Sequence, residues 1–381
     1  MRVLFSSTWG VGHIFPMVPL ARAFVAAGHV VRWVTNEPAY PVVHAAGLDV
    51  VAGGLDTPAL TEVRRRLREE TAPLAGPDRA AYAFPNMFGW WATPAMVDDL
   101  LPLARGWHPD LLVREPAEFA APLVGALLGV RCLTHAWGGA VPAALVQAAA
   151  DRVAGLWAER GLEVPPYAGS YESTYLDPCP PLVQPVSVDH IPVRQPLHPV
   201  SYTGERSGPL PSFLRDDSGP LIYLTLGTVQ NQAPVLSTAV SGLSALGPRV
   251  LVTVGPDGDP AALGPQPGHV QVERWVCQSD VLPRASVVVS HAGSGTFLGA
   301  VGLGVPQVCL PQAADQFRNA EAGVRIGAAV MLSPDEASSS AIEAAVRRVL
   351  GENSFRAAAA RVAEQINSMP SPAEVVSLLE R

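Results

Sequence analysis

Three times this chain runs an apolar stretch straight into a turn of small residues. Val3-Leu4-Phe5-Ser6-Ser7 leads to Thr8-Trp9-Gly10-Val11-Gly12-His13, and Leu221-Ile222-Tyr223-Leu224-Thr225-Leu226 leads to Gly227-Thr228. Val287-Val288-Val289-Ser290 leads to His291-Ala292-Gly293-Ser294-Gly295-Thr296. Unbroken apolar runs of this kind suit strands buried on both faces, as in a parallel sheet covered by helices. After the third turn come a short helical pattern, a Gly304-Val305-Pro306 break and the run Gln307-Val308-Cys309-Leu310, which completes a βαβ unit. Its turn places unobstructed backbone N–H groups at a helix N-terminus, where the free donors and the helix dipole both favour a phosphate. An ordinary tight connection would use the same glycines for packing; His291, Ser294 and Thr296 tilt the reading toward phosphate.

The fold class this predicts is α/β, with two Rossmann-like doubly wound parallel sheets, because 381 residues exceed the usual size of one core. An apolar fraction of 48% against 16% charged residues fits large buried sheets and excludes disorder. A net charge of −8 argues against nucleic acid or an anionic membrane as partner, so local dipoles must hold any phosphate-bearing ligand. All 26 basic residues are arginine, which excludes a P-loop lysine and Schiff-base or pyridoxal-phosphate chemistry. The four cysteines (Cys132, Cys179, Cys277, Cys309) form no C-x-x-C pair, so neither a disulfide frame nor a zinc site is expected. With no signal peptide or membrane span evident, the expected location is cytoplasmic; a homodimer is left open.

In the first half, a helix is expected to begin near Pro16 and to close at Gly28, with Met17, Leu20, Ala21 and Phe24 on one face. Gly10-Val11-Gly12, with Glu37 placed as a ribose-binding acid, invites a dinucleotide reading, but Phe15 and Pro16 stand where the third glycine belongs. His13 sits in that loop, at the carboxyl end of a strand where open α/β sheets bind their ligands, and could abstract a proton from a bound hydroxyl. Leu111-Leu112-Val113-Arg114 is a further strand, with Glu115 at its carboxyl end and so on the rim that His13 occupies. Glu115 could bond the far ring nitrogen and fix its tautomer; Glu118 is a competitor for that place. The arginine-rich stretch Arg64–Arg68 reads as a solvated helix face. Phe84, Phe88, Trp90 and Trp91, with Trp9, Gly12 and the strand-end Trp137, are either core or an apolar wall for a large ligand.

From Asp177 to Gly219 the chain is proline-rich and reads as a seam. The boundaries drawn are 1–205 for a first Rossmann-like domain, 206–218 for a linker, 219–365 for a second Rossmann-like domain and 366–381 for a last helix. Asp257-Gly258-Asp259 matches a metal-binding D-x-D, but its Gly/Pro-rich loop suits aspartates as turn formers.

Arg274-Trp275-Val276-Cys277-Gln278, the 291–296 turn and Ala314-Asp315-Gln316 resemble the nucleotide-sugar signature of GT-B glycosyltransferases. Gly12-His13-Ile14-Phe15-Pro16 with Gly28-His29 is similar to the acceptor domain of the same superfamily. The whole chain resembles actinobacterial natural-product glycosyltransferases that use TDP-sugars, most of all the calicheamicin-type enediyne enzymes. That resemblance implies Trp275 stacked on the pyrimidine, the Val276 backbone reading its edge and Gln278 near the ribose. It implies a diphosphate held by His291, Gly293, Ser294, Gly295 and Thr296 with Gly227 and Thr228 at its border, and donor-sugar hydroxyls on Asp315 and Gln316. His13 becomes the general base, oriented by Glu115 where many relatives carry aspartate. Two departures are Cys277 for proline and Ala292 for the first glycine of the common turn; the alanine is expected at negative φ.

The expected reaction is an inverting transfer of a deoxysugar from a TDP-sugar to a hydroxyl of a large apolar acceptor, in the cleft between the domains, with no metal or other cofactor. C-glycosylation of an aromatic polyketide, sugar-nucleotide epimerisation and, more distantly, NAD-dependent oxidoreduction are the alternatives.

Overall fold

The computed structural model describes residues 1–74, 76–204, 210–215, 219–227 and 233–380. The chain packs as two compact units: Met1–Pro178, Val186–Leu197 and Pro370–Arg381 form unit 1, and Cys179–Pro185 with His198–Met369 form unit 2.

Unit 1 is built on seven parallel strands: β1 Arg2–Ser6, β2 Val30–Thr35, β3 Asp49–Ala52, β4 Leu111–Arg114, β5 Arg131–His135, β6 Tyr175–Asp177 and β7 Arg194–Pro196. Their spatial order is β3-β2-β1-β4-β5-β6-β7, so the direction of winding reverses between β1 and β4. Ser6 stands opposite Arg114 in that pairing. The loops after these two strands therefore emerge side by side, at the point where a doubly wound sheet opens a crevice. Full burial of Val3, Leu4, Phe5, Leu112 and Val113 explains why β1 and β4 are apolar without alternation. Trp33 stacks on Phe5 at 5.1 Å between ring centres.

Unit 2 repeats the design with six strands: β8 Leu221–Thr225, β9 Arg249–Thr253, β10 Val270–Glu273, β11 Val287–Ser290, β12 Gln307–Cys309 and β13 Ala329–Met331. The order β10-β9-β8-β11-β12-β13 again reverses in the middle, between β8 and β11, where Ser290 stands opposite Thr225. Ile222, Leu224, Val250, Val252, Val287 and Val289 form the core of this sheet with Leu243, Ile342 and Val346 from its helices.

Two local expectations are corrected. The first helix begins at Val11, not near Pro16: a turn Val11–Ile14 runs through a 3-10 stretch, Phe15–Met17, into the helix Val18–Ala26. Gly10 accepts the N–H groups of His13 and Ile14, so the helix starts ahead of its prolines, which suit early helical turns. The proline-rich stretch is not one seam, since it supplies β7 to the edge of the first sheet, where a proline costs no ladder bond. Cys179 and Val183 pack instead with Phe297, Leu298 and Val362 of unit 2, and residues 198–204 lie with unit 2 as well. After the helix Gly76–Phe84, Pro85–Ala92 is wound as a π-helix.

The arginine-rich face is solvated and self-paired, with Arg65 bonded to Glu62 and Glu69, and Arg66 to Glu70. Among the described residues no helix is long and apolar enough to cross a membrane.

Candidate active site

In unit 1 the chemistry gathers just beyond β1 and β4. Glu115 is fully buried, and its Oε1 accepts from the Thr8 amide at 3.0 Å, the Thr8 hydroxyl at 2.7 Å and His13 Nδ1 at 3.1 Å. Its Oε2 accepts from the Ala117 amide at 2.6 Å. Burial opposes the charge on this carboxyl, but the neighbouring His13 and the hydrogen bonds from His13, Ala117 and Thr8 outweigh it, so the pKa is lowered. An ionised carboxylate only accepts, which assigns the proton to Nδ1 and leaves the lone pair on Nε2. The ring lies over the backbone of Gly10, where an added Cβ would come within 2.8 Å of His13 Cδ2. Gly12 is exposed and faces open space. Glu118 does not compete for His13: its two oxygens accept the amides of Ala120 and Ala121 at the start of the next helix. Burial raises its pKa to about 7 against the pull of Arg114.

Aromatic rings surround His13. Trp137 stands 4.2 Å and Phe88 5.5 Å from the imidazole centre, Trp9 stacks on Phe88 at 5.7 Å, and Phe84 meets Phe88 edge-on at 5.3 Å. Trp90 is not part of this group; it is 54% exposed. Trp91 packs in a side cluster with Leu55, Leu60 and Val63, under the Arg66 guanidinium. Phe84 ends the helix Gly76–Phe84, and Phe88 lies in the π-helix with both tryptophans.

In unit 2 the turn after β11 opens the helix Ser294–Val301, with Gly293 as an N-cap that brings no side-chain oxygen to the first turn. His291 is wedged between two glycine backbones. A Cβ on Gly227 would come within 2.6 Å of the ring's Cε1, and one on Gly293 within 2.6 Å of its Nε2. Burial lowers the His291 pKa to about 4, partly offset by Asp315, and its buried Nδ1 has no partner among the described residues. The ring is therefore neutral near pH 7, a donor of one hydrogen bond and not a cation.

Ala292 overturns its expected geometry. It adopts φ 62° and is fully buried against Cys309, Ala320 and Ala329. The left-handed conformation costs a non-glycine residue about 1–2 kcal/mol. Two hydrogen bonds hold it: the Ala292 amide donates to Ser290 Oγ at 3.0 Å, and its carbonyl accepts from Asn319 Nδ2 at 3.0 Å. Asn319 also donates to Ser294 Oγ at 3.1 Å and to Asp315 Oδ2 at 2.9 Å, while Ser294 Oγ donates to the same Asp315 oxygen at 2.6 Å. Asp315 thus joins the turn, with Asn319 as the hub between them. Gln316 points inward: its Oε1 accepts the amides of Gln312 and Ala313 and braces their loop. Gln278 is nearly buried, and its side-chain amide donates to Thr296 Oγ1 at 3.0 Å. Val276 and Cys277 are buried before it, and Trp275 is half-buried near Gly204. Gly295 is exposed on the helix start, and Thr228 lies outside the described residues. Asp259 of the D-x-D caps the short helix Pro260–Leu263 through the Ala261 amide.

Thr8 and Asn319 escaped the sequence reading. A faint signal existed for each, since Thr8 opens the first small-residue turn and Asn319 lies one helical turn beyond Asp315.

Comparison with known proteins completes the picture. The N-terminal domain described as erythromycin biosynthesis protein CIII-like matches residues 22–193, and the corresponding C-terminal domain matches residues 239–381. The chain is 34% identical to L-demethylnoviosyl transferase of Streptomyces niveus, over 98% of this chain and 96% of that protein. It is 30% identical to aklavinone 7-beta-L-rhodosaminyltransferase of Streptomyces galilaeus, over 100% of this chain and 95% of that one. The crystal structure of the Streptomyces sp. SF2575 glycosyltransferase SsfS6 complexed with thymidine diphosphate superposes with a TM-score of 0.79 at 29% identity, over 100% of this chain and 99% of that chain. These matches confirm the GT-B fold and set aside the oxidoreductase reading of Gly10-Val11-Gly12. The chain belongs to the erythromycin biosynthesis protein CIII-like family and is a glycosyltransferase.

Proposed function

We propose that this enzyme transfers a deoxysugar from a TDP-sugar to a hydroxyl of a large apolar antibiotic aglycone, with inversion and without a metal. The observation that carries the reading is the His13–Glu115 pair, with Nε2 left unprotonated among Trp9, Phe84, Phe88 and Trp137. Nε2 takes the acceptor's hydroxyl proton as that oxygen bonds to C1 of the sugar. The bond from C1 to the diphosphate oxygen breaks on the opposite face, and TDP leaves. Glu115 stabilises the imidazolium and keeps its orientation. In unit 2 the N-terminus of Ser294–Val301 and the neutral His291 take up the charge that grows on the diphosphate, a preorganised electrostatic contribution. Trp275 stacks on the thymine, Val276 and Gln278 border the nucleoside, and Asp315 bonds a sugar hydroxyl. Support for TDP comes from the SsfS6 complex, and support for an antibiotic acceptor from the rhodosaminyl and demethylnoviosyl relatives. Within that class, an enediyne acceptor is the narrower expectation.

His13→Ala tests the assignment. Turnover should fall about 10²–10⁴-fold with TDP affinity unchanged, and the native rate should persist in EDTA. Equal loss of turnover and TDP affinity would remove His13 from the role of base, and loss of activity in EDTA would restore a metal.

A further inference from the structure

We infer that Thr8 is a positioning residue for proton transfer, holding the imidazole of His13 through its hydroxyl; this rests on the reading of His13 as the base. The hydroxyl oxygen is 2.8 Å from His13 Nδ1, closer than the carboxylate oxygen at 3.1 Å. Its own proton has one destination, because Glu115 Oε1 at 2.7 Å is an ionised acceptor. The Thr8 oxygen must then accept from Nδ1–H, so the ring proton is shared between hydroxyl and carboxylate, with the hydroxyl as the nearer partner.

The threonine is itself held at every polar group. Its amide donates to Glu115, and its carbonyl accepts from Thr35 Oγ1 at 3.2 Å. Thr35 in turn accepts from Ser7 Oγ at 3.2 Å, and Ser7 accepts from Trp33 Nε1 at 2.9 Å. Ser7, Thr8, Trp33 and Thr35 are all buried, so this run of directed hydrogen bonds reaches from the sheet interior to the base. A buried, fully satisfied polar chain of this kind fixes one geometry. A β-branched side chain with a restricted χ1 suits its last link. A glutamate carboxylate has three side-chain torsions to restrain, and the Thr8 amide and hydroxyl both hold its Oε1.

The test combines Thr8→Val, Thr8→Ser and His13→Ala, alone and together. Thr8→Val keeps the shape and removes the hydroxyl; kcat should fall on the order of tenfold to a hundredfold, the loss expected when a charge-assisted hydrogen bond is removed. TDP affinity and the donor KM should stay as in the native enzyme, and Thr8→Ser should recover most of the rate. In the His13→Ala background Thr8→Val should leave the residual rate unchanged, because there is no ring left to hold. Native turnover in Thr8→Val, or an equal loss with and without His13, overturns the positioning role. Native turnover in His13→Ala alone overturns the reading of the base instead. Should Thr8→Val fail to fold, Thr8→Ala decides the matter: a fall in kcat with TDP affinity and donor KM unchanged, recovered by Thr8→Ser, supports the role, and native turnover refutes it.

Discussion

His13 and His291 each lie beyond one strand of the central pair of a sheet, His13 after β1 and His291 after β11, yet their surroundings differ in kind. His13 faces a buried ionised carboxylate and a threonine hydroxyl, which together direct its Nδ1 proton. His291 faces glycine backbones, its Nδ1 is unpartnered among the described residues, and burial lowers its pKa to about 4. The fold supplies the position, while the residue beyond the neighbouring strand decides the chemistry. Glu115 follows β4 in unit 1, and Gly227 follows β8 in unit 2. One histidine is thus equipped to gain a proton, the other to offer a hydrogen bond without becoming a cation.

Glu115→Gln should have the largest effect on this contrast. The neutral amide keeps the shape but no longer demands a donor from His13, so kcat should fall by about 10² or more, as when the carboxylate of a catalytic triad is neutralised. A steady-state assay that finds the native rate would show the carboxylate to be structural only. Gly293→Ala comes next. The new Cβ would lie 2.6 Å from His291 Nε2, so the ring must move. We expect the donor KM to rise about tenfold, near 1.4 kcal/mol of lost binding, with acceptor KM unchanged. Removing the ring in Gly293→Ala/His291→Ala should erase the further penalty of the glycine change. A penalty that persists without the ring would locate the damage in the turn itself.

The smallest effect concerns pH and stability. His291 has a folded pKa near 4 against 6.5 for an ordinary histidine, so the folded chain binds fewer protons than the unfolded chain between those values. Its contribution is fully present above pH 6.5 and is lost as pH falls toward 4. Melting curves between pH 7 and pH 5 should therefore decline less steeply for His291→Asn than for the native chain. Parallel declines would place the ring in a better solvated setting than the glycines allow.

Much of this was legible in the chain itself. Runs such as Val287–Ser290 announce buried parallel strands, and the pairing of His13 with Glu115 follows from two strand ends on one rim. Other features were not legible because they depend on contacts distant in sequence. Ala292 tolerates φ 62° only because Asn319, on a later helix, holds its carbonyl. Trp90 and Trp91 look equivalent to Phe84 and Phe88 in the sequence, yet Trp90 is exposed and Trp91 lies under the Arg66 guanidinium. Gln316, which the resemblance assigns to sugar hydroxyls, also braces its own loop through Oε1, a contact the sequence does not announce.

By itself the sequence determined the two doubly wound sheets, the placing of His13 and Glu115 on one rim, and the small-residue turn that opens the helix at Ser294. Those depend on residue type and short spacing, which hydrophobic burial and backbone sterics read locally. Only the tertiary structure decided that Thr8 lies closer to the ring than the carboxylate does, that Asn319 ties Asp315 to the strained turn, and that His291 stays neutral. Hydrogen-bond direction and desolvation depend on what surrounds a group in three dimensions, and no local pattern along the chain encodes that environment.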